Sequence, residues 1–192
     1  AGPGGVRRTD ARREAFADEL FDAVTRQLPL SPGSPRTPVI VAGGVGSGKT
    51  AAGLRLAQRM RDAGVTVGGI LAPRLVGRGE TVGYNVLDIS TGEDVAFARA
   101  DPPGQAVGRF FVRPAGLAFA ERALRHGIER ADIVLVDEVG HWELGGGGHA
   151  AALTDLLRSR ALPVLFVRAE LARAVDLGPG RVERNDVLAR RR

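Results

Sequence analysis

The residues best suited to chemistry in this 192-residue chain form the run Gly43-Gly44-Val45-Gly46-Ser47-Gly48-Lys49-Thr50. This run satisfies the phosphate-binding pattern G-x-x-x-x-G-K-[ST] in full. Its glycines let the backbone turn successive N–H groups toward an anion, and the lysine ammonium reaches the outer phosphates. Lys49 is the only lysine among 27 basic residues, so this position needs a compact ammonium that a planar guanidinium does not replace. We expect nucleotide contacts from residues 43–50 and from Ala51.

Two adjacent carboxylates, Asp137 and Glu138, follow an apolar run later in the chain. The pattern matches a Walker B strand, whose aspartate holds Mg²⁺ together with the hydroxyl of the phosphate loop, here Thr50. Glu138 is then placed to orient or deprotonate a water in line with the terminal phosphate. An Asp-Glu pair after a core strand is also common in solvated turns, but the complete phosphate loop favours the catalytic interpretation. The two motifs together predict Mg²⁺-dependent hydrolysis of ATP, GTP or another nucleoside triphosphate.

Phosphoryl transfer also needs positive charge beyond one lysine and a metal ion. Four arginines are candidates: Arg74 and Arg78 ahead of the predicted hairpin, Arg109 within residues 107–110, and Arg168 at the end of the last strand. We rank Arg109 and Arg168 first, because each lies in or beside an apolar strand, and we predict a catalytic role for Lys49, Glu138 and Arg109.

The segment after the carboxylates carries three further features. Trp142, the only tryptophan, either stacks on a base and covers the site or packs in the core. His141 either assists proton transfer or is an ordinary loop residue. The four glycines at 145–148 predict a mobile loop beside the site.

Alternating buried strands and helices must position these residues. We expect strands near residues 37–42, 64–72, 107–112, 131–138 and 162–167, and helices near residues 49–63, 114–127 and 149–159. Residues 81–89 and 93–99 predict an antiparallel hairpin, and residues 10–28 predict an amphipathic helix. The fold class is therefore α/β, a P-loop NTPase with a mostly parallel sheet covered by helices on both faces, an inserted hairpin and an extra N-terminal helix.

Composition divides the chain into three parts. We expect an N-terminal helix and proline-rich linker at 1–36, a P-loop domain at 37–178, and a basic tail at 179–192. Of the net charge of +5, residues 1–13 and 181–192 carry +3 each, which leaves the body near neutral and argues against a nucleic-acid groove. The N-terminal helix either packs on its own domain or docks a protein partner. No apolar run approaches the length of a membrane span, and the absence of cysteine is compatible with a cytoplasmic location.

These segments, taken in order, resemble the small P-loop nucleoside-triphosphatase family known from thermophiles and as cancer-related nucleoside triphosphatase. The resemblance covers about residues 38–168 and rests on the phosphate loop and on residues 64–69, 82–88, 91–93, 107–110, 137–140, 143–144 and 163–165. It implies a Mg²⁺-dependent hydrolase with a loose base preference, in which Lys49 and Thr50 hold phosphate and metal, Asp137 holds the metal and Glu138 is catalytic. This chain departs from the family at His141, at Trp142, in its glycine run and in its N-terminal helix.

Two other functions remain compatible with the same motifs. The chain is either a hydrolase, a kinase that passes the phosphoryl group to a small acceptor bound along the hairpin, or a nucleotide-dependent switch that docks a larger partner through its N-terminal helix. Phosphate release without an added acceptor separates the first from the second.

Overall fold

A computed structural model describes residues 4–28, 36–44 and 46–172 of the chain. Val45, most of the predicted linker and the predicted basic tail at 179–192 lie outside the described residues. Among the described helices, none is both long enough and apolar enough to cross a membrane.

The described residues form five α-helices, nine β-strands and one short 3-10 helix, Ala169–Leu171. The helices are α1 (Gly4–Gln27), α2 (Lys49–Asp62), α3 (Pro114–Arg130), α4 (His141–Leu144) and α5 (Ala150–Arg158). The strands are β1 (Val39–Gly43), β2 (Val67–Leu71), β3 (Arg74–Gly77), β4 (Glu80–Asp88), β5 (Asp94–Arg99), β6 (Gln105–Val107), β7 (Phe110–Val112), β8 (Ile133–Val139) and β9 (Leu162–Arg168).

All nine strands join one sheet with the order β1-β9-β8-β2-β4-β5-β7-β6, and β3 pairs with β4. The strands β1, β9, β8 and β2 pair in parallel, whereas the pairs from β2 outward are antiparallel. The prediction of a mostly parallel sheet is therefore wrong, since the described strands form a mixed sheet with three parallel and five antiparallel strand pairs. The antiparallel part is larger than one hairpin because two short strand pairs, β3 with β4 and β6 with β7, extend it on the surface.

Helices cover both faces of the sheet because its central strands are apolar on both sides. In β8, Leu135 belongs to a core cluster that includes Leu56 of α2, whereas Val134 and Val136 belong to a second cluster that includes Leu124 of α3. All five of these side chains are fully buried. A strand buried on both faces reads as a continuous apolar run, which is why these strands were visible in the sequence.

The N-terminal helix packs on its own domain. Leu20 and Val24 of α1 are fully buried in the same core cluster as strand β1, and α1 contacts α2. The guanidinium of Arg59 in α2 pairs with Asp18 and lies 4.3 Å from the ring centroid of Phe21. The apolar stripe of this helix is therefore covered by the chain itself, in line with the first of the two alternatives weighed for it.

The antiparallel region differs from the sequence prediction at two places. The expected strand at 107–112 is split by Gly108, whose φ of 58° turns the chain so that Val107 of β6 pairs with Phe110 of β7. Strand β3 was missed, because a four-residue strand exposed on alternate positions carries little periodic signal. Arg78 and Gly79 both have positive φ at the turn between β3 and β4, as tight hairpin turns require.

Candidate nucleotide-binding site

The phosphate loop joins β1, which ends at Gly43, to α2, which begins at Lys49. The Lys49 side chain is only 8% exposed, and its Nζ donates hydrogen bonds to the carbonyl oxygens of Gly43 at 2.6 Å and Gly44 at 3.0 Å. The ammonium therefore lies folded over the loop. A Cβ on Gly43 would stand 2.6 Å from Ser47 Oγ and 3.5 Å from Lys49 Cδ, so a side chain at this position would displace the Ser47 hydroxyl and touch the lysine.

Asp137 connects the ends of three elements at the centre of the site. Its side chain is 1% exposed, and its Oδ2 accepts hydrogen bonds from Thr50 Oγ1 at 2.7 Å and from the Ala72 N–H at 3.2 Å. Burial raises the pKa of Asp137 to about 6; the Thr50 hydrogen bond opposes this shift and the charge of Glu138 adds to it. A cation beside this carboxylate would offset the cost of burying its charge.

The residues present fit a magnesium ion. No group of three metal-ligating His, Cys, Asp or Glu side chains occurs among the described residues, so these residues do not form a site in which such side chains alone coordinate the metal. Mg²⁺ in phosphate-loop proteins needs no such group, because it takes one hydroxyl, one carboxylate, water and the phosphates of the substrate. Thr50 and Asp137, in contact at 2.7 Å, would supply that hydroxyl and carboxylate.

A β-bulge presents the two carboxylates. Strand β8 pairs Val136 with Leu165 and Val139 with Val167 of β9, so two residues of β8, Asp137 and Glu138, lie opposite one residue of β9. Glu138 has a φ of 62°, in the left-handed region that a non-glycine residue rarely adopts. Bulges re-aim side chains and occur often beside active sites, where such strain persists because the surrounding structure holds it.

The strand order brings an arginine to the loop. Strand β9 lies between β1 and β8, and its last residue, Arg168, is in register with Gly43. Arg168 is half-buried and lines a cavity that Glu138 also lines. It therefore stands at the end of the strand that lies between the phosphate-loop strand β1 and the carboxylates of β8.

The other three candidate arginines lie in three different places: against the phosphate loop, in the wall of the cavity, and at an exposed turn. The Nη1 atom of Arg74 is 3.8 Å from where a Cβ on Gly46 would stand, which places Arg74 against the loop. Arg109 lies in the wall of the cavity, donates a hydrogen bond to the Thr81 carbonyl at 3.1 Å, and stacks 4.8 Å from the Phe110 ring centroid. Arg78 lies exposed at the turn between β3 and β4.

The segment after Glu138 is an ordered turn of helix, α4. Glu143 is buried and its Oε2 accepts a hydrogen bond from the Gly140 N–H at 3.0 Å, which caps the start of that helix. A Cβ on Gly147 would stand 2.1 Å from Trp142 Nε1, so the indole packs directly on the glycine run. Close packing against Trp142 therefore explains why residue 147 is glycine, whereas the sequence had suggested that the glycine run forms a mobile loop.

Trp142 and His141 both line the cavity, together with aromatic residues to which the sequence gave no role. Tyr84, the only tyrosine, packs edge-on against Phe110 with ring centroids 5.4 Å apart. Single aromatic residues in separate short strands give no spacing signal, so only the paired sheet reveals that they share one cavity.

A phosphate loop between a buried parallel strand and a helix, with a buried aspartate hydrogen-bonded to the loop threonine, defines a P-loop nucleotide-binding protein of the α/β class. A family model described as NTPase matches residues 38–176. The chain belongs to this NTPase family and is an NTPase by class, which confirms the resemblance seen in its sequence.

Individual relatives agree with this assignment. Nucleoside-triphosphatase THEP1 of Methanopyrus kandleri is 35% identical over 156 residues, covering 78% of this chain and 83% of the relative. Nucleoside-triphosphatase THEP1 of Korarchaeum cryptofilum is 34% identical over 127 residues, covering 65% of each. The solution structure of a human cancer-related nucleoside triphosphatase matches with a TM-score of 0.55 and 21% identity over 68% of this chain and 75% of that one, which shows a shared fold.

Proposed function

We propose that this chain hydrolyses the terminal phosphoanhydride bond of a Mg²⁺-bound nucleoside triphosphate, with broad base preference, and releases a nucleoside diphosphate and phosphate. The observation that carries the proposal is the contact of Thr50 Oγ1 with Asp137 Oδ2 at 2.7 Å, with Glu138 beside it on a strained bulge. This arrangement supports a metal position next to a carboxylate that faces the substrate. The names of the THEP1 relatives point to the same reaction.

Each residue has a distinct task in this reaction. The N–H groups of the loop and of the α2 N-terminus bind the phosphates, and the Lys49 ammonium neutralises their charge. Glu138 orients a water for in-line attack and accepts its proton. Mg²⁺, when bound by Thr50 and Asp137, would neutralise charge on the outer phosphates.

Additional positive charge comes from arginine. Arg168, in register with Gly43, and Arg74, which lies against Gly46, support a role in stabilising the transition state. Arg109 remains a proposal for the same role, acting from the far side of the cavity.

Broad base preference is supported by the kind of contacts that the phosphate loop makes with a nucleotide. The binding energy comes from backbone amides and from Lys49, which hold phosphate oxygens and make no distinction between bases. The nucleotide contacts of Val45 stay a prediction, because this residue lies outside the described part of the chain.

The decisive experiment compares Glu138→Gln, Lys49→Ala and wild type in phosphate release from ATP, GTP, CTP and UTP with and without Mg²⁺. We expect Glu138→Gln to keep nucleotide affinity and to lose turnover by about 10²- to 10⁴-fold, since it removes only the proton acceptor. Lys49→Ala should weaken both binding and turnover. Glu121→Gln, a change on helix α3 with unaltered side-chain shape, is the matched control. Undiminished hydrolysis in Glu138→Gln would refute the site assignment.

Three of the expectations from the sequence remain predictions: the cytoplasmic location, the absence of nucleic-acid binding, and a protein partner for the N-terminal helix. Such a partner would have to use surfaces other than the apolar stripe of α1, because Leu20 and Val24 are already buried against the chain itself.

A further inference from the structure

A cavity of about 590 Å³ lies on one side of the catalytic carboxylate. Its walls come from the end of β8, from α4, from the antiparallel strands β4, β5 and β7, and from Arg168 at the end of β9, whereas none of the described residues of the phosphate loop lines it. Strand β1, which carries the loop, lies on the opposite side of β8, beyond β9. Most of the cavity therefore lies on the side of β8 away from β1, and Arg168 extends its wall toward the phosphate loop.

The residues that would hold the metal indicate the direction of a bound triphosphate. In phosphate-loop proteins the loop threonine and the Walker B aspartate are the metal-holding residues, and the metal would supply positive charge beside the outer phosphates. Here these residues are Thr50 and Asp137, so the terminal phosphate would lie beside Asp137 and Glu138. Because Glu138 lines the cavity, the cavity would open toward the terminal phosphate of a triphosphate bound in this direction.

The walls of the cavity suit an aromatic ligand. Tyr84, Phe97, Phe110 and Trp142 line it, and Tyr84 and Phe110 form an edge-to-face pair. Its volume falls within the range of about 300 to 1,000 Å³ that is usual for small-molecule sites. A single attacking water needs no space of this size and no aromatic surface.

Charged groups in the same cavity suit a ligand that is also anionic. Arg109 and Arg168 line it together with Glu138 and Glu143, and the Glu143 carboxylate already accepts a hydrogen bond from the Gly140 N–H at the start of α4. Burial raises the pKa of the Tyr84 hydroxyl, Glu138 raises it further, and Arg168, Arg74 and Arg109 oppose the shift, so these charges surround the tyrosine. The guanidinium of Arg109 lies exposed on the Phe110 ring, where it is accessible to a negative group stacked on that ring.

We propose that this cavity binds a second substrate, a planar aromatic molecule with a free hydroxyl and a negative charge, and that the enzyme transfers the terminal phosphoryl group to that hydroxyl. The hydroxyl oxygen forms a bond to the terminal phosphorus while the bond from that phosphorus to the bridging oxygen breaks. The electron pair leaves with the nucleoside diphosphate, and the hydroxyl proton passes to Glu138 and then to solvent. The inference rests on the proposed function for the donor site, and hydrolysis is the reaction when water takes the acceptor's place.

The test is a transfer assay with the full chain, Mg²⁺ and ATP labelled in its terminal phosphate. The probes are adenosine, guanosine, cytidine and uridine and their 3′-monophosphates, which offer a planar base and a free 5′-hydroxyl, without and with a negative charge. We expect label to appear in one or more 3′-monophosphates, and more weakly in the matching uncharged nucleoside. Phe110→Leu should lower this transfer about tenfold while phosphate release without a probe stays unchanged, since Phe110 lies away from the loop.

A second measurement guards against a variant that fails to fold. Trp142 is the only tryptophan, so its fluorescence reports on the cavity. With the phosphate loop saturated by a non-hydrolysable ATP analogue, we expect the 3′-monophosphates to change the wild-type fluorescence saturably.

The outcomes are distinct. Label found only in inorganic phosphate with every probe, together with fluorescence that no probe changes, would overturn this inference and leave the proposed hydrolysis intact. Label in neither phosphate nor any probe would overturn both. Equal transfer by wild type and a folded Phe110→Leu would show that the acceptor binds elsewhere and would also overturn the inference.

Discussion

The left-handed backbone at Glu138 predicts that glycine is more stable than alanine at this position, which is the reverse of the usual order inside a helix or strand. Glu138 has a φ of 62° at the bulge in β8. A residue with a Cβ costs about 1–2 kcal/mol in this left-handed region, whereas glycine adopts it freely and loses roughly 0.5–1 kcal/mol more backbone entropy on folding. The difference leaves Glu138→Gly more stable than Glu138→Ala by about 1 kcal/mol or somewhat less.

The assay is thermal and urea unfolding of both variants under identical conditions. For a chain of this size, 1 kcal/mol corresponds to about 2–4 °C in melting temperature. Both variants should lack hydrolysis, because neither retains the carboxylate, so the comparison isolates the cost of holding a side chain at this φ.

Position 121 supplies the control. Glu121 lies inside helix α3, where glycine should be less stable than alanine by about 1 kcal/mol. The order of stability should therefore reverse between the two positions. If the Glu138→Ala variant is as stable as the Glu138→Gly variant or more stable, then residue 138 does not adopt the left-handed conformation in solution. The bulge would then not explain how the Glu138 side chain is oriented.

Three further predictions concern packing and protonation. Gly69→Ala should lower the free energy of unfolding by about 3 kcal/mol or more, because φ is 100° and the new Cβ would stand 2.1 Å from the Leu135 carbonyl oxygen. The control is Gly79→Ala, at a φ of 82° with no atom within 4 Å, which should cost only about 1 kcal/mol in urea unfolding. Equal costs for the two variants would contradict the close contact at Gly69. Burial lowers the pKa of His149 to about 4, so the unfolded chain binds a proton that the folded chain does not as pH falls below about 6.5. Stability should drop by about 2 kcal/mol between pH 7 and pH 5, and a folded His149→Leu variant with the same pH dependence would rule this origin out. Leu20→Ala should cost about 2–5 kcal/mol, since this side chain is fully buried; unchanged unfolding would mean that α1 is not part of the core.

Much of the site was predictable because its parts are local in the chain. The run from Gly43 to Thr50 sets its own backbone geometry, and the apolar residues before Asp137 define a buried strand that must end at the carboxylates. Short-range spacing of this kind survives in the sequence without knowledge of the fold. It also sufficed to indicate the NTPase family, which the family match confirmed.

Other features depend on pairing between distant segments. Two of the four candidate arginines reach the loop, and their spacing along the chain did not identify them. Arg74 lies against Gly46, and β9 lies between β1 and β8, which puts Arg168 in register with Gly43. The bulge at Glu138 appears only when β8 is aligned with β9, and the mixed sheet only when β3 to β7 are paired. Nothing in the spacing of these segments along the chain encodes their register.

The sequence by itself determined that a phosphate loop and a pair of carboxylates exist, because each is a contiguous pattern whose local geometry follows from its residue types. Only the tertiary structure decided what faces them. Tyr84, Phe97, Phe110 and Trp142 come from four separate elements, and they form one cavity beside Glu138 because the antiparallel strands fold beside β8. Contacts of that kind depend on long-range strand pairing, which short-range residue spacing does not specify.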